Sequence, residues 1–109
     1  MNTLTPIEIS LIQAQVIEQM KTIYDPEIPV NIHELGLIYD VVCSDDADVH
    51  IIMTLTSPGC PVAGSLPGEV EMSAREVSGV NDVKVDVVWD PPWTMDMMSE
   101  EAKLQLGLF

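Results

Sequence analysis

Val49-His50-Ile51-Ile52-Met53-Thr54-Leu55-Thr56 runs straight into Ser57-Pro58-Gly59-Cys60-Pro61, and the fold turns on that junction. Val49, Ile51, Met53 and Leu55 alternate with His50, Thr54 and Thr56, the period of a strand with one buried face. Val62 to Ser78 then reads as a helix with Gly79 as its C-terminal cap. Pro67 and Gly68 sit badly inside it, so the helix is either kinked there or regular only from about Leu66. A further alternation follows, with Val83, Val85, Val87 and Trp89 inward and Lys84 and Asp86 outward, until Asp90-Pro91-Pro92-Trp93 stops it. If the helix crosses over between these strands, they run parallel, with right-handed connectivity strongly favoured.

Upstream, Leu37, Tyr39, Val41 and Cys43 alternate against Asp40, and the polar turn Ser44-Asp45-Asp46-Ala47-Asp48 joins this strand to Val49–Thr56 as an antiparallel hairpin. Further back, Thr5-Pro6-Ile7-Glu8 is a capping box with proline at the first helical position. Ile9, Ile12, Val16, Met20 and Ile23 extend it as one buried stripe, predicting a helix over 6–24 that stops before Asp25-Pro26. Downstream, Ser99-Glu100-Glu101 opens a short helix to about Leu106, ended by Gly107. The order α-β-β-α-β-α predicts an α+β two-layer fold. It has a small three-stranded mixed sheet with helices packed on one face, in a single domain over 1–109.

Composition limits what such a domain does. The chain has 109 residues, with 4 Lys+Arg against 18 Asp+Glu and a formal net charge of −14. Clustered basic residues are what nucleic acids and anionic membranes select, so both classes of partner are excluded. A mean hydropathy of +0.22 is too apolar for a solvated acidic tail. No basic residue precedes Lys21 and no apolar run approaches a membrane span, so a cytoplasmic location is expected, where two cysteines stay reduced.

The topology brings three irregular segments to one rim of the sheet: Thr56–Pro61, Asp90–Trp93 and the Asp25–Gly36 loop. Loops held by a rigid sheet are the usual address for function. Cys60, just before a helix start, reads as a reactive or metal-binding thiolate; the plain alternative is a small buried residue. Cys43, inside a strand on the apolar side, reads as core packing. Asp25 and Glu27 offer hard oxygen ligands or paired acid–base carboxylates, set against the plain reading that they are solvated. Trp93 reads as an exposed contact residue, or else Trp89 and Trp93 both cap the core edge.

Sharper motifs fail on single residues. Gly59-x4-Gly64-Ser65 has serine where a phosphate-binding loop needs lysine, and Leu66 stands where a cysteine phosphatase needs arginine. His33-Glu34 lacks the second histidine of a zinc protease helix, because Leu37 is there. There is no C-x-x-C pair, and Asp45-Asp46-Ala47-Asp48 lacks the glycine and distal glutamate of a calcium loop. His50 lies on the polar side at the far end of its strand. His33 falls on the same rim as Cys60, which leaves a thiol-dependent hydrolase or transferase open as an alternative.

Five blocks in order carry a family resemblance: Asp25-Pro26-Glu27-Ile28-Pro29-Val30, Glu34-Leu35-Gly36-Leu37-Ile38-Tyr39, Thr54-Leu55-Thr56-x3-Cys60-Pro61, Asp90-Pro91-Pro92-Trp93 and Met98-Ser99. Together they resemble the SufT-like family of SUF-associated iron–sulfur assembly proteins. Its relatives are the eukaryotic cytosolic iron–sulfur targeting factors and the PaaD-like proteins of phenylacetate degradation. The resemblance covers about Ile9 to Gly107. It implies a non-catalytic accessory role in iron–sulfur cluster assembly or transfer, with the assembly machinery and client apoproteins as partners. Cys60 matches the family's distinctive cysteine, the transient metal or cluster ligand, and Asp25 and Glu27 its acidic motif. Trp93 is then a contact residue of the same site. Pro67-Gly68 departs from the pattern. No cysteine follows Cys60, where PaaD-like proteins carry a cysteine-rich extension, so a place nearer the SUF-associated branch is expected. A conventional cluster takes four thiolates. Any iron or cluster would therefore be shared, across a homodimer or with a partner or small thiol; the alternative is an interaction subunit, PaaD-like in role, that holds no metal.

Overall fold

Thr5 caps the first helix as expected: its hydroxyl accepts from Glu8 N–H at 3.2 Å, and Glu8 Oε1 accepts from Thr5 N–H at 3.0 Å. The structure, a computed structural model, describes residues 3–25, 29–56 and 66–107. Helix α1 spans Pro6–Met20 and buries Ile12, Val16 and Met20. It stops short of the expected residue 24. Lys21 N–H is shared between the carbonyls of Ile17 and Glu18, and the Thr22 hydroxyl donates to Gln19 C=O at 2.6 Å. Such side-chain competition for a helical carbonyl favours ending over continuation.

Strand β1 (Ile38–Cys43) pairs antiparallel with β2 (Asp48–Met53), and β2 pairs parallel with β3 (Asp82–Val87), in the order β1-β2-β3. This is the mixed three-stranded sheet the crossover argument requires. Helix α2 (Leu66–Arg75) makes that crossover. Pro67 lies in its first turn, where a missing N–H costs nothing. Of the two sequence readings, the described residues match the one with a regular helix from about Leu66; Val62–Ser65 lie outside them. At the other end, Glu76 and Val77 N–H bond back three residues to Ser73 and Ala74, so α2 tightens into a turn before Gly79, which takes φ +91°. Helix α3 (Glu100–Gln105) is capped by Ser99, whose hydroxyl accepts from Ala102 N–H at 3.1 Å. A 3-10 turn over Met95–Met97 was not anticipated.

Helix α1 packs on β1 and α2, and α2 packs on β3. Val49, Ile51, Met53 and Val83 bury their side chains on that face with Met20, Val70 and Ala74. Asp40, Val42, Lys84 and Asp86 lie on the opposite, solvated face. His50 sits there too, 2.6 Å from Asp86 Oδ2. Cys43 belongs to the core, as its alternation implied, and burial pushes its thiol up, aided by the negative charges of Asp48 and Asp45. No helix among the described residues is long and apolar enough to cross a membrane.

Two strand ends differ from expectation. β2 ends at Met53, and Thr54 and Leu55 are both buried, so alternation stops where the chain leaves the sheet. β3 ends at Val87, and Trp89, expected inward, is 47% exposed.

Candidate functional site

The register aligns Ile38 with Met53 and Met53 with Val87, so the start of β1 and the ends of β2 and β3 share one rim. Three segments leave from it: the turn before β1, the Thr54–Thr56 stretch leading towards Cys60, and the run from Val88 to Met97.

The turn before β1 is compact because its main chain closes on itself. Tyr24 bridges Asn31, Ile32 N–H donates to Ile23 C=O at 2.8 Å, and Leu37 N–H returns to Ile32 C=O at 3.1 Å. Val30, Ile32, Leu35 and Leu37 are fully buried beneath it. Gly36 makes the reversal at φ +82°, and a Cβ there would collide with the carbonyl of Met97. Only glycine fits a left-handed position pressed so closely by another backbone.

That turn and the 88–99 segment are stapled together. Trp93 Nε1 donates to Leu35 C=O at 2.7 Å, and Ser99 N–H to Glu34 C=O at 2.8 Å. A bulge between Ile38 and Asp40 takes Tyr39 out of the ladder. Its hydroxyl reaches Pro91 C=O at 2.7 Å and lies 3.6 Å from Met97 Sδ. Bulges re-aim side chains in this way beside functional sites. The third segment is held by Thr54 N–H on Leu37 C=O at 2.9 Å, and Val88 N–H on Met53 C=O at 2.8 Å ties the 88–99 run to the end of β2.

Asp25 is buried, 4% exposed, which overturns the plain reading of it as a solvated acid. Glu27 and Cys60 lie outside the described residues. Trp93 is neither fully exposed nor a passive cap: it is partly buried and hydrogen-bonded across the rim, while Trp89 is the exposed tryptophan.

Sequence reasoning put His33 on this rim as a possible partner of Cys60, but missed its link to Glu34 and the roles of Glu34 and Thr54. The Ser99 hydroxyl holds the Glu34 carboxyl below the usual range; burial opposes this, and His33, with Nδ1 3.6 Å from Glu34 Oε1, adds to it. Glu34 thereby links the rim to the cap of α3. Thr54 is fully buried, and among the described residues its hydroxyl has no hydrogen-bond partner. His33 Nδ1 is also buried and, among the described residues, makes no hydrogen bond beyond the longer Glu34 contact; the ring borders a groove of about 280 Å³ shared with Gln13, Ile17 and β1. Unsatisfied buried polar groups cost about 1–3 kcal/mol each and are uncommon enough to require an explanation. Both lie on this rim. Among the described residues, no group of three or more His, Cys, Asp or Glu side chains is placed to hold a metal ion.

A family model described as iron–sulfur cluster assembly protein matches residues 13–87. The chain is 47% identical to an Fe-S protein maturation auxiliary factor of Porphyromonas gingivalis, over 87% of this chain and 90% of that protein. It is 42% identical to the Fe-S protein maturation auxiliary factor SufT of Staphylococcus aureus, over 79% of this chain and 98% of that one. A crystal structure of a domain of unknown function from Bacillus anthracis superposes with a TM-score of 0.88 at 36% identity, covering 96% of this chain and all of that one.

Proposed function

The chain belongs to the iron–sulfur cluster assembly protein family, and we propose that it is an accessory factor that helps assemble an iron–sulfur cluster or deliver it to client proteins, with Cys60 as a transient ligand. The cluster is cargo, not a resident cofactor, and the protein acts as an adaptor, not an enzyme, in the cytoplasm. One domain over 1–109 carries this activity.

The observation that supports this reading is the stapled rim. Trp93, Tyr39 and Ser99 tie two of its segments together, and the third leads directly into the stretch that holds Cys60. A short-lived ligand needs such a frame: fixed enough to aim one thiolate, with too few ligands to retain the cargo.

Ligand arithmetic gives the same answer. The chain has two cysteines, and Cys43 is buried with its thiol pushed up, so it stays protonated and is a poor ligand. Cys60 alone cannot satisfy a four-thiolate cluster. The remaining ligands come from the assembly machinery, the client, a second copy of this chain or a small thiol. Asp25 and Glu27 are assigned to the same function as its acidic residues, and Trp93 braces the rim through Leu35 C=O.

The test is replacement of Cys60 by Ser in a strain lacking the native copy, with iron–sulfur enzyme activity as readout. Loss of rescue at normal protein level is expected. Full rescue would remove the thiol from the mechanism.

A further inference from the structure

Both outer edges of the sheet carry the same closure. On β1, Val41 N–H donates to Asp40 Oδ1 at 2.9 Å and Val41 C=O accepts from Gln13 Nε2 at 3.0 Å. On β3, Val83 N–H donates to Asp82 Oδ1 at 2.9 Å and Val83 C=O accepts from Arg75 Nη2 at 3.2 Å. In each case the aspartate before an inward valine covers the amide, and a side chain from the overlying helix covers the carbonyl. Edge strands left open are templates for another chain, and natural sheets block them.

The two edges differ nearer the rim. On β1 the bulge at Tyr39 breaks the ladder, which extends the closure. On β3, Val88 N–H bonds to Met53 C=O, so even-numbered residues face β2 and the main-chain groups of Val83, Val85 and Val87 point outward. Among the described residues no side chain covers Val85 or Val87 as Asp82 and Arg75 cover Val83. Trp89, next in the series, is 47% exposed. The open stretch is the last three residues of β3, Val85–Val87, extended by Val88 and Trp89.

We propose that the rim half of the β3 edge, Val85 to Val87, with Val88 and Trp89 just beyond it, is a strand-addition site for an extended, lysine-bearing segment of a client polypeptide. The added strand exchanges main-chain hydrogen bonds with Val85 and Val87, and Trp89 covers an apolar side chain at its end. Charge selects the partner. The chain carries 18 acidic residues against 4 basic ones, and Asp90 follows the stretch directly; the nearby basic side chains are already engaged, Lys84 and His50 by Asp86 and Arg75 by Glu71 and Asp82. A second copy is disfavoured by charge, since it brings another −14; symmetric antiparallel pairing about Val85 would in addition need the Val83 groups that Asp82 and Arg75 occupy, while pairing about Val87 is opposed by charge alone. The proposal takes from the accessory-factor reading only that the partner is a client; pairing itself is read at two amides and does not involve Cys60.

The experiment is amide hydrogen exchange by NMR on the full chain, with the acetylated, amidated peptide Lys-Val-Lys-Val-Lys as probe. Exchange at Val85 and Val87 is expected to slow at least tenfold, with Val41 and Val83 unchanged. The same peptide N-methylated at every residue lacks main-chain donors and should give no slowing, as should Glu-Val-Glu-Val-Glu. Val85→Pro, tolerated where an edge N–H faces outward, should abolish the effect; if that variant does not fold, the N-methylated peptide decides. No slowing at saturating probe, or equal slowing by the N-methylated peptide, overturns strand addition. Equal slowing by the acidic peptide, or slowing in the free protein that grows with its own concentration, overturns the assigned partner. Cys60→Ser protein should bind the probe undiminished, so failure of the ligand role and failure of this site are separable.

Discussion

The indole N–H of Trp93 lies 2.7 Å from the carbonyl oxygen of Leu35, joining the segment after β3 to the turn before β1. Leu35 itself is fully buried, so its carbonyl has few alternative partners. Trp93→Phe keeps most of the ring but removes the donor. We expect a loss of about 1–3 kcal/mol, the cost of stranding a buried polar group, measured by urea unfolding. Unchanged stability would mean that water replaces the bond and that the staple is weak.

Gly36 tests the same frame through sterics. Its φ of +82° and its contact with Met97 C=O leave no room for a methyl group. Gly36→Ala should cost more than about 1 kcal/mol and loosen the 88–99 segment. The latter is visible as faster exchange of the Ser99 amide, which bonds to Glu34 C=O. A variant as stable as the parent would show that the rim yields easily.

The Glu34–Ser99 link predicts a pH dependence. The folded carboxyl is held below its ordinary value of 4.5 by the Ser99 hydroxyl. A depressed folded value means that the contribution to stability is fully present above 4.5 and is lost as pH falls through the lowered folded value. Ser99→Ala should raise the Glu34 titration midpoint, followed by carboxyl NMR. It should also cost about 1 kcal/mol at neutral pH through loss of the α3 cap. An unmoved midpoint would assign the depression to another group.

Thr54 offers a separation of stability from function. Its fully buried hydroxyl has no hydrogen-bond partner among the described residues, so the near-isosteric Thr54→Val should stabilise the fold by about 1 kcal/mol. If the hydroxyl is retained for the site, the same variant should support iron–sulfur enzyme maturation poorly. Better stability with full activity would reduce Thr54 to a packing residue.

Much of this frame was legible before any coordinates. Alternation over Val49–Leu55 and Val83–Val87, with a helix between, gives the parallel pair if that helix crosses over, and that pair puts three loops on one rim. The capping signals at Thr5 and Ser99 were read from local chemistry and hold. What escaped depends on contacts distant in sequence or on where a strand stops. Trp89 keeps the inward parity of β3, yet the strand ends at Val87, and the tryptophan exposures are reversed. Tyr39 continues an unbroken alternation, so nothing local marks the bulge that aims it at Pro91. The Glu34–Ser99 link needs the chain to return after 65 residues, which no periodicity encodes.

The central claim is that Cys60 holds iron or a cluster transiently. It is tested most directly by anaerobic reconstitution with iron and sulfide, followed by metal and sulfide analysis of the parent and Cys60→Ser proteins in the presence of a small thiol. The account predicts bound iron and sulfide in the parent that a chelator or an apo-client removes readily, and none above background in the variant. Equal loading of both proteins, or no loading of either, would contradict it.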